Sequence, residues 1–297
     1  MTFEERIASR YPELRPAEQR VVRFFRDRRE EVLIASAATM AAKAKTSDAT
    51  VIRTARALGY SGLDGLRRAL AEEMRQSLSP AERMSRTLDE VGGGRAAAFH
   101  TTIGTHLECL QALSRSIVPE QFERVTKALG SAKRVVAFGI GPSSAMANYL
   151  VMQLVRFGID AISLSNTGLL FADDLAKLRA NDVVVLFAYS RVYVEVEALL
   201  DAAQAVRLRT ILVTDTLESA LKRRVDMIVS VPRGYSDMVS FHTTTLGFIE
   251  ALLVGIAAMR PEPTLASLER LNLARSKLAG KKNGAAFGLV NRTRKDR

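Results

Sequence analysis

The stretch TSDATVIRTARALGYSGLDG, residues 46–65, decides how this chain is read. Ser47 is placed to cap a helix, because its hydroxyl can accept a bond from a first-turn amide. Val51, Ile52, Ala55 and Leu58 fall at helical spacing and form an inward face, which turns Thr50, Arg53 and Arg56 elsewhere. Gly59 stops the helix, and Tyr60-Ser61-Gly62 makes a turn. A second short helical stretch, 36–44, precedes it across the Lys45-Thr46 turn. Two short helices, a tight turn and a basic second helix are the parts of a helix-turn-helix DNA reader. On this reading residues 47–58 lie in the major groove of double-stranded DNA. Thr50 and Arg53 meet bases or adjacent phosphates, and Lys45, Ser47 and Arg56 meet phosphate.

Working outward, residues 1–77 read as all-helical. A first helix over 3–9 ends before Pro12. A second over 16–28 starts on Pro16 and carries Val21, Val22, Phe24 and Phe25, and a last one covers 63–74. Ser79-Pro80 and Gly92-Gly93-Gly94 mark a hinge or linker, and 95–116 is a connecting helix. From there apolar runs at 134–138, 161–164, 183–189, 210–214 and 227–231 alternate with helical segments at 143–156, 169–178, 194–206, 219–223 and 238–259. Such alternation predicts a five-stranded parallel sheet covered by helices on both faces, an α/β three-layer domain. The predicted organisation is therefore 1–77 DNA-binding, 78–116 connecting, 117–279 effector-binding, and 280–297 a basic, disordered tail.

Composition agrees with two domains in 297 residues. The cores must be aliphatic, since the chain has no tryptophan. One cysteine, Cys109, leaves no internal disulfide and no zinc cluster, which suits a reducing, cytoplasmic setting. The first ten residues are polar and charged, unlike a signal peptide. No apolar run reaches the ~18 residues of a membrane span. The greasiest stretch, 246–259, is interrupted by Glu250 and reads as a buried helix. The net charge of +11 is uneven: residues 1–77 carry 15 Lys/Arg against 11 Asp/Glu, and 280–297 carry 6 against 1. A basic head suits a polyanion partner.

Ligands of open parallel sheets sit at the carboxyl ends of the strands. Gly139-Ile140-Gly141-Pro142-Ser143-Ser144 follows the first strand and opens a helix, where glycines allow close approach and amides and hydroxyls bind an anion. It is neither a dinucleotide fingerprint nor a phosphate-binding P-loop. The third glycine and the lysine that those motifs need are missing, and Ser165-Asn166 stands where a ribose-binding acid would be. Tyr189-Ser190-Arg191-Val192-Tyr193 ends the third strand in the equivalent place. Ser190 is expected to face the same crevice; Arg191 either pairs with an anion or is an exposed loop charge. Asp215, after the fourth strand, reads as a turn cap.

The sequences LRPAEQRVVRFF (14–25), SDATVIR (47–53), LGYSG (58–62), RVVAFGIG (134–141) and VTD (213–215) resemble the RpiR/MurR family of bacterial transcriptional regulators, over about residues 3–271. The resemblance implies a helix-turn-helix domain joined to a sugar isomerase (SIS) domain of flavodoxin-like architecture that binds phosphorylated sugars. Ser143 matches the family serine of the first ligand loop and Ser144 adds a hydroxyl, so with the two loops read above the expected effector site is Gly139, Gly141, Ser143, Ser144, Ser190 and Arg191. Three positions depart from the family pattern. Lys45 replaces the usual glycine of the reading turn, Gln153 replaces a common lysine, and Ser190-Arg191-Val192-Tyr193 replaces Ser-Gly-x-Thr, removing part of the phosphate cradle.

The alternative is a SIS sugar-phosphate isomerase, which needs a base beside a carbonyl. Glu195, Glu250 and His242 are the candidates, and each reads better as structural or ligand contact. His100 and His106 have no cysteine or carboxylate at ligand spacing, so no metal is expected, and no cofactor. The expectation is a non-enzymatic, ligand-responsive DNA-binding protein of carbohydrate metabolism. It binds a small anionic metabolite, acts as a homodimer or homotetramer, and has no membrane partner.

Overall fold

A computed structural model describes residues 3–279 apart from Ser236. The basic tail at 280–297, expected to be disordered, lies outside the described residues. The chain divides into two compact units. One runs to Ile103 and includes Gly234–Ser240; the other comprises Gly104–Arg233 and the chain from Phe241 onward.

The first unit is helical: α1 (Phe3–Arg10), α2 (Pro16–Asp27), α3 (Arg29–Ile34), α4 (Ala37–Lys43), α5 (Asp48–Ala57), α6 (Leu63–Ser77) and α7 (Pro80–Val91), with α8 (Arg95–Ser116) divided between the units. Its core gathers Phe3, Val21, Val22, Phe25, Met40, Val51, Ala55, Leu58, Leu66 and Leu70. The expected inward face of α5 is therefore buried, except that Ile52 is only half-buried. The hinge read at 78–94 is mostly helix. Ser79 accepts the Glu82 amide while the Glu82 carboxylate accepts the Ser79 amide, and Pro80 occupies the first turn. That reciprocal cap is a helix start, and only the glycines after Val91 break the chain. Asp237 pairs with Arg86 at 3.3 Å, and the Val239 amide donates to Thr87 Oγ1 at 3.0 Å, so part of 234–240 is fixed to α7.

Among the described residues, four helices end on carbonyls that arginines from other elements satisfy. Arg6 and Arg10 of α1 donate to the Leu58, Gly59 and Ala57 carbonyls at the end of α5. Arg20 donates to Ala44 and Lys45 after α4. Arg67 reaches Val32 and Ala35 at the end of α3, and Arg260 in the second unit reaches Gly130 at the end of its first complete helix. The last carbonyls of a helix lack partners within it and carry partial negative charge, so a guanidinium supplies both the missing bonds and the opposite charge. Four of the 15 cations in residues 1–77, Arg6, Arg10, Arg20 and Arg67, are thus committed to the fold of the reading unit.

The second unit adds α9 (Pro119–Gly130), β1 (Arg134–Gly139), α10 (Pro142–Arg156), β2 (Ala161–Leu164), α11 (Phe171–Leu175), β3 (Asp182–Phe187), α12 (Val194–Ala205), β4 (Arg209–Thr214), α13 (Glu218–Leu221), β5 (Met227–Ser230), α14 (Thr243–Met259) and α15 (Pro261–Leu278). The sheet is wholly parallel in the order β2-β1-β3-β4-β5. Alternate strand residues serve two cores. Val135, Ala137, Val183, Val185, Ile211 and Val213 pack with α9, α10 and α14, while Val136, Phe138, Val184, Leu186 and Leu212 pack with α11 and α12. The expected helix over 169–178 shrinks to a 3-10 turn and the five residues of α11, and the last expected helix starts at Thr243. The greasy 246–259 run is core helix: a side chain at Gly255 would lie 3.1 Å from Phe122 and 3.2 Å from Thr126, so α14 and α9 pack closely. Among the described residues no single helix is long and apolar enough to cross a membrane.

At the amino ends of the strands, Arg134 and Asp182 form a two-bonded ion pair at 3.0 and 2.6 Å, with side chains 7 % and 3 % exposed. It ties β1 to β3, the Arg179 amide adds a bond to the same carboxylate, and the carboxylate raises the guanidinium pKa further. Asp182→Ala strands a buried guanidinium and is expected to cost about 3–5 kcal/mol in urea unfolding, whereas Arg134→Met/Asp182→Leu together costs far less.

Candidate DNA-reading helix and effector crevice

Ser47 caps α5 as expected: its Oγ accepts the Thr50 amide at 3.3 Å and lies 2.9 Å from Thr50 Oγ1. Thr54, buried beneath, returns its hydroxyl to the Thr50 carbonyl at 2.7 Å. The Ser47 and Thr50 hydroxyls therefore already hold the helix start. Arg53 and Arg56 are exposed, and no ion pair or hydrogen bond engages their side chains among the described residues. Lys45 is exposed in the turn with φ +51°. This left-handed backbone is natural for glycine and costs a side-chain-bearing residue of order 1–2 kcal/mol. The structure thus shows why glycine is usual there, and Lys45 places a cation in a strained turn directly before the second helix.

In the second unit the loops after β1 and β3 lie side by side, because Gly139 pairs with Phe187. Gly139 is required by close packing: a side chain there would meet the Ser143 backbone at 2.6 Å. Gly141, at φ +58° and ψ −130°, adopts a conformation suited to glycine and has open space around it. Ser143 is buried, and its hydroxyl forms no hydrogen bond among the described residues. Ser144 differs, since its hydroxyl donates to the Gly141 carbonyl at 2.7 Å and so braces the loop itself. Ser190 sits at φ +59° in a tight turn closed by the Arg191 amide on the Tyr189 carbonyl, and Arg191 is exposed.

The cation at this edge is one that the sequence reading missed. Arg233, just past β5, directs Nε and Nη2 at Oδ2 of Asp215, at 3.0 and 2.9 Å. Its guanidinium lies 3.8 Å from the centre of the Tyr189 ring, and Nη2 reaches Ser190 Oγ at 3.4 Å. Asp215 is therefore an ion-pair partner rather than a turn cap; Thr214 Oγ1 takes that role by accepting the Leu217 amide at 3.0 Å. The Tyr189 hydroxyl and Thr245 Oγ1 lie 2.9 Å apart, and His242 Nδ1 is 3.4 Å from the same Thr245 oxygen. Burial pushes the Tyr189 phenol pKa up. Burial and then the Arg233 charge lower the His242 pKa to about 4, against a smaller opposing effect of Asp215. At neutral pH this wall is uncharged apart from the Arg233–Asp215 pair.

The candidate bases do not converge. Glu195 accepts the Gly168 amide at 3.0 Å. Glu250 is exposed and accepts the Tyr149 hydroxyl at 3.1 Å. Gln153 accepts from Arg156. His106 lies 3.2 Å from Thr243 Oγ1, and His100 packs on Phe99. No cluster of metal-ligating residues occurs among the described residues.

Comparison with known proteins fits both units. Residues 1–77 match the helix-turn-helix domain of the rpiR family, and residues 128–255 match the SIS domain. The chain is 26 % identical over 275 residues to the bifunctional protein glk of Paraburkholderia xenovorans; it spans about two fifths of that protein's length (42 %). It is 25 % identical over 289 residues to the transcriptional regulator HexR of Escherichia coli, covering 92 % of this chain and 94 % of HexR. Among solved structures, NanR of Vibrio vulnificus, complexed with ManNAc-6P, shares the fold at a TM-score of 0.57 and 19 % identity, covering 93 % of this chain and 99 % of NanR. The sugar isomerase domain of an RpiR transcription factor from Sphaerobacter thermophilus matches at a TM-score of 0.53 and 26 % identity, covering 58 % of this chain and 96 % of that domain. With an rpiR-type reading domain followed by a SIS domain on a 2-1-3-4-5 parallel sheet, the chain belongs to the RpiR/MurR family of transcriptional regulators.

Proposed function

We propose that this protein is a ligand-responsive DNA-binding regulator of carbohydrate metabolism, acting in the cytoplasm. Residues 1–77 bind duplex DNA with α5 in the major groove, and residues 117–279 bind a small anionic metabolite, a sugar phosphate or a close relative, without turning it over. The observation that carries the reading is the pair Arg53 and Arg56, exposed on α5 and unengaged among the described residues, while Arg6, Arg10 and Arg20 are committed to helix ends. The effector half rests on the crevice between the β1 and β3 loops, lined by Gly139, Gly141, Ser143, Ser190 and Arg191. The capture of ManNAc-6P by NanR supports the ligand class. The structural engagement of Glu195, Glu250 and His242 favours binding over isomerisation.

A homodimer or homotetramer follows from the same reading, since one small reading domain binds DNA weakly. Phe99, Ile103 and Leu107 recur at one-turn spacing on α8 and are 63 %, 41 % and 55 % exposed, an apolar stripe suited to a second copy.

Fluorescence anisotropy with DNA from the region upstream of the protein's own gene tests the first half. Arg53→Ala is expected to cost ~1–3 kcal/mol and to relax preference at one position, and Arg56→Ala to weaken all sequences alike and lower the salt slope by about one. Absence of salt-dependent binding by the wild type would sink the proposal. Lys45→Gly is expected to raise unfolding stability by about 1 kcal/mol through relief of the left-handed backbone, yet to weaken DNA binding; tighter binding would remove Lys45 from the interface. Calorimetry against a panel of sugar phosphates and sugar acids tests the second half. Ser143→Ala is expected to weaken binding by ~0.5–1.5 kcal/mol, and chemical conversion of the ligand would make the protein an enzyme.

A further inference from the structure

We propose that Arg233 grips the anionic end of the effector, a phosphoryl or carboxylate oxyanion, and that Asp215 is an internal carboxylate with which that anion competes. The inference deepens the reading of the crevice as an effector site and rests on it. The exposed loop cation Arg191 is the obvious anchor by sequence, but Arg233 is the better built one. Its side chain is only 9 % exposed, and that of Asp215 is 13 % exposed. One carboxylate oxygen takes both Nε and Nη2, and the Tyr189 ring fixes the plane of the guanidinium from 3.8 Å. Nη1 has no hydrogen-bond acceptor among the described residues, and it is not among the buried polar atoms lacking a partner. One Nη1 N–H shares the end of the guanidinium with the Nη2 N–H nearest Ser190 Oγ, and together they form the fork edge offered to an oxyanion.

Pre-ordering matters because an exposed arginine loses rotamer freedom on binding, whereas one already stacked and paired loses little. The edge of a guanidinium matches an oxyanion, and a charge-assisted bond in a poorly solvated corner is stronger than one at the surface. Ser190 Oγ, 3.4 Å from Nη2, marks where the anion would meet the β3 loop. That loop neighbours the Gly139–Ser143 turn through the β1–β3 pairing. Tyr189 and His242 share Thr245 Oγ1 and add no charge of their own at neutral pH, so the balance between Arg233 and Asp215 sets the local charge. Asp215 cancels Arg233, which keeps the corner stable but weakens its hold on an anion. Removal of the Asp215 charge must therefore strengthen anion binding, an effect that a purely structural ion pair would not give.

The chain has three histidines, so ring signals from histidine-labelled protein are few, and His242→Gln assigns the one of interest. The His242 ring centre lies 5.4 Å from that of Tyr189, on which Arg233 stacks. Titration with inorganic phosphate, and separately with acetate, is expected to shift the His242 signal saturably with at least one of them, which identifies the oxyanion type. Asp215→Asn should saturate at several-fold lower anion concentration. Arg233→Gln/Asp215→Asn, which removes the pair together and leaves no unpaired charge, should lose the response; Lys222→Gln, an exposed cation outside the crevice, should not. No saturable shift in the wild type with either anion, an unchanged or weaker response in Asp215→Asn, or a wild-type response in the double variant each overturns the proposal. If these variants behave as expected but no sugar phosphate or sugar acid alters DNA binding, the regulatory reading fails and the role of Arg233 stands.

Discussion

The reversal of strand order at β1 is the constraint from which the candidate effector site follows. With β2 on one side of β1 and β3 on the other, the chain leaves β1 toward the face covered by α10 and leaves β3 toward the face covered by α12. Two neighbouring loops thereby leave the sheet toward opposite faces, which is where open parallel sheets bind ligands at their carboxyl edge without any special sequence to make the place. The sequence then has to line that site and keep its walls in place. Gly139 lets the start of α10 approach to within contact of β1, and Gly141 turns the chain where a side chain would not fit the backbone angles. The buried Arg134–Asp182 pair locks β1 to β3 at the opposite edge, so the two strands bearing these loops cannot slip against each other.

Arginine does two kinds of work in the reading unit. Arg6, Arg10, Arg20 and Arg67 complete helix ends that would otherwise expose unsatisfied carbonyls. Short helices of six to ten residues gain little from their own hydrogen bonds, and such caps offset the loss at each end. Net charge therefore overstates how much of the head is available to a polyanion. Arg53 and Arg56, borne outward by the same helix whose end Arg6 and Arg10 secure, are the informative cations, because the fold does not require them.

Most of this architecture was legible in the sequence. Helical spacing placed α2, α4, α5 and α8, and continuous β-branched runs placed all five strands within a residue or two. What escaped has physical causes. Ser79-Pro80 was read as punctuation, yet serine, then proline, then Glu82 three residues on is a reciprocal cap. Pro119 and Pro261 likewise open α9 and α15, where a proline in the first turn starts a helix instead of breaking one. Ser143 and Ser190 are legible as candidates because each follows a strand directly. Arg233 is not, because its significance depends on Asp215 and Tyr189, 18 and 44 positions away, and no local pattern brings three strand ends together. Ser144 carried a plausible hydroxyl, but a serine in the first turn of a helix can bond to the carbonyl just behind it, and this one does.

Both candidate functional loops carry a side chain where glycine would be less strained: Lys45 at φ +51° in the reading turn and Ser190 at φ +59° in the crevice. A left-handed backbone at a residue with a Cβ costs of order 1–2 kcal/mol, and such a cost persists only where the surroundings over-determine it. The surroundings are visible in each case. The carbonyls of Ala44 and Lys45 are held by Arg20, and the Thr46 amide donates to the Ala41 carbonyl at 2.9 Å, so the turn keeps its shape with any residue in it. Ser190 lies between a Tyr189 side chain anchored on Thr245 and an Arg191 amide bonded back to Tyr189. Each strained residue then presents a polar group, the Lys45 ammonium or the Ser190 hydroxyl, at a place where glycine could present none. The departure from the family pattern at Lys45, and the serine that matches it at 190, thus exchange a small amount of stability for chemistry at the surfaces where DNA and effector are proposed to bind.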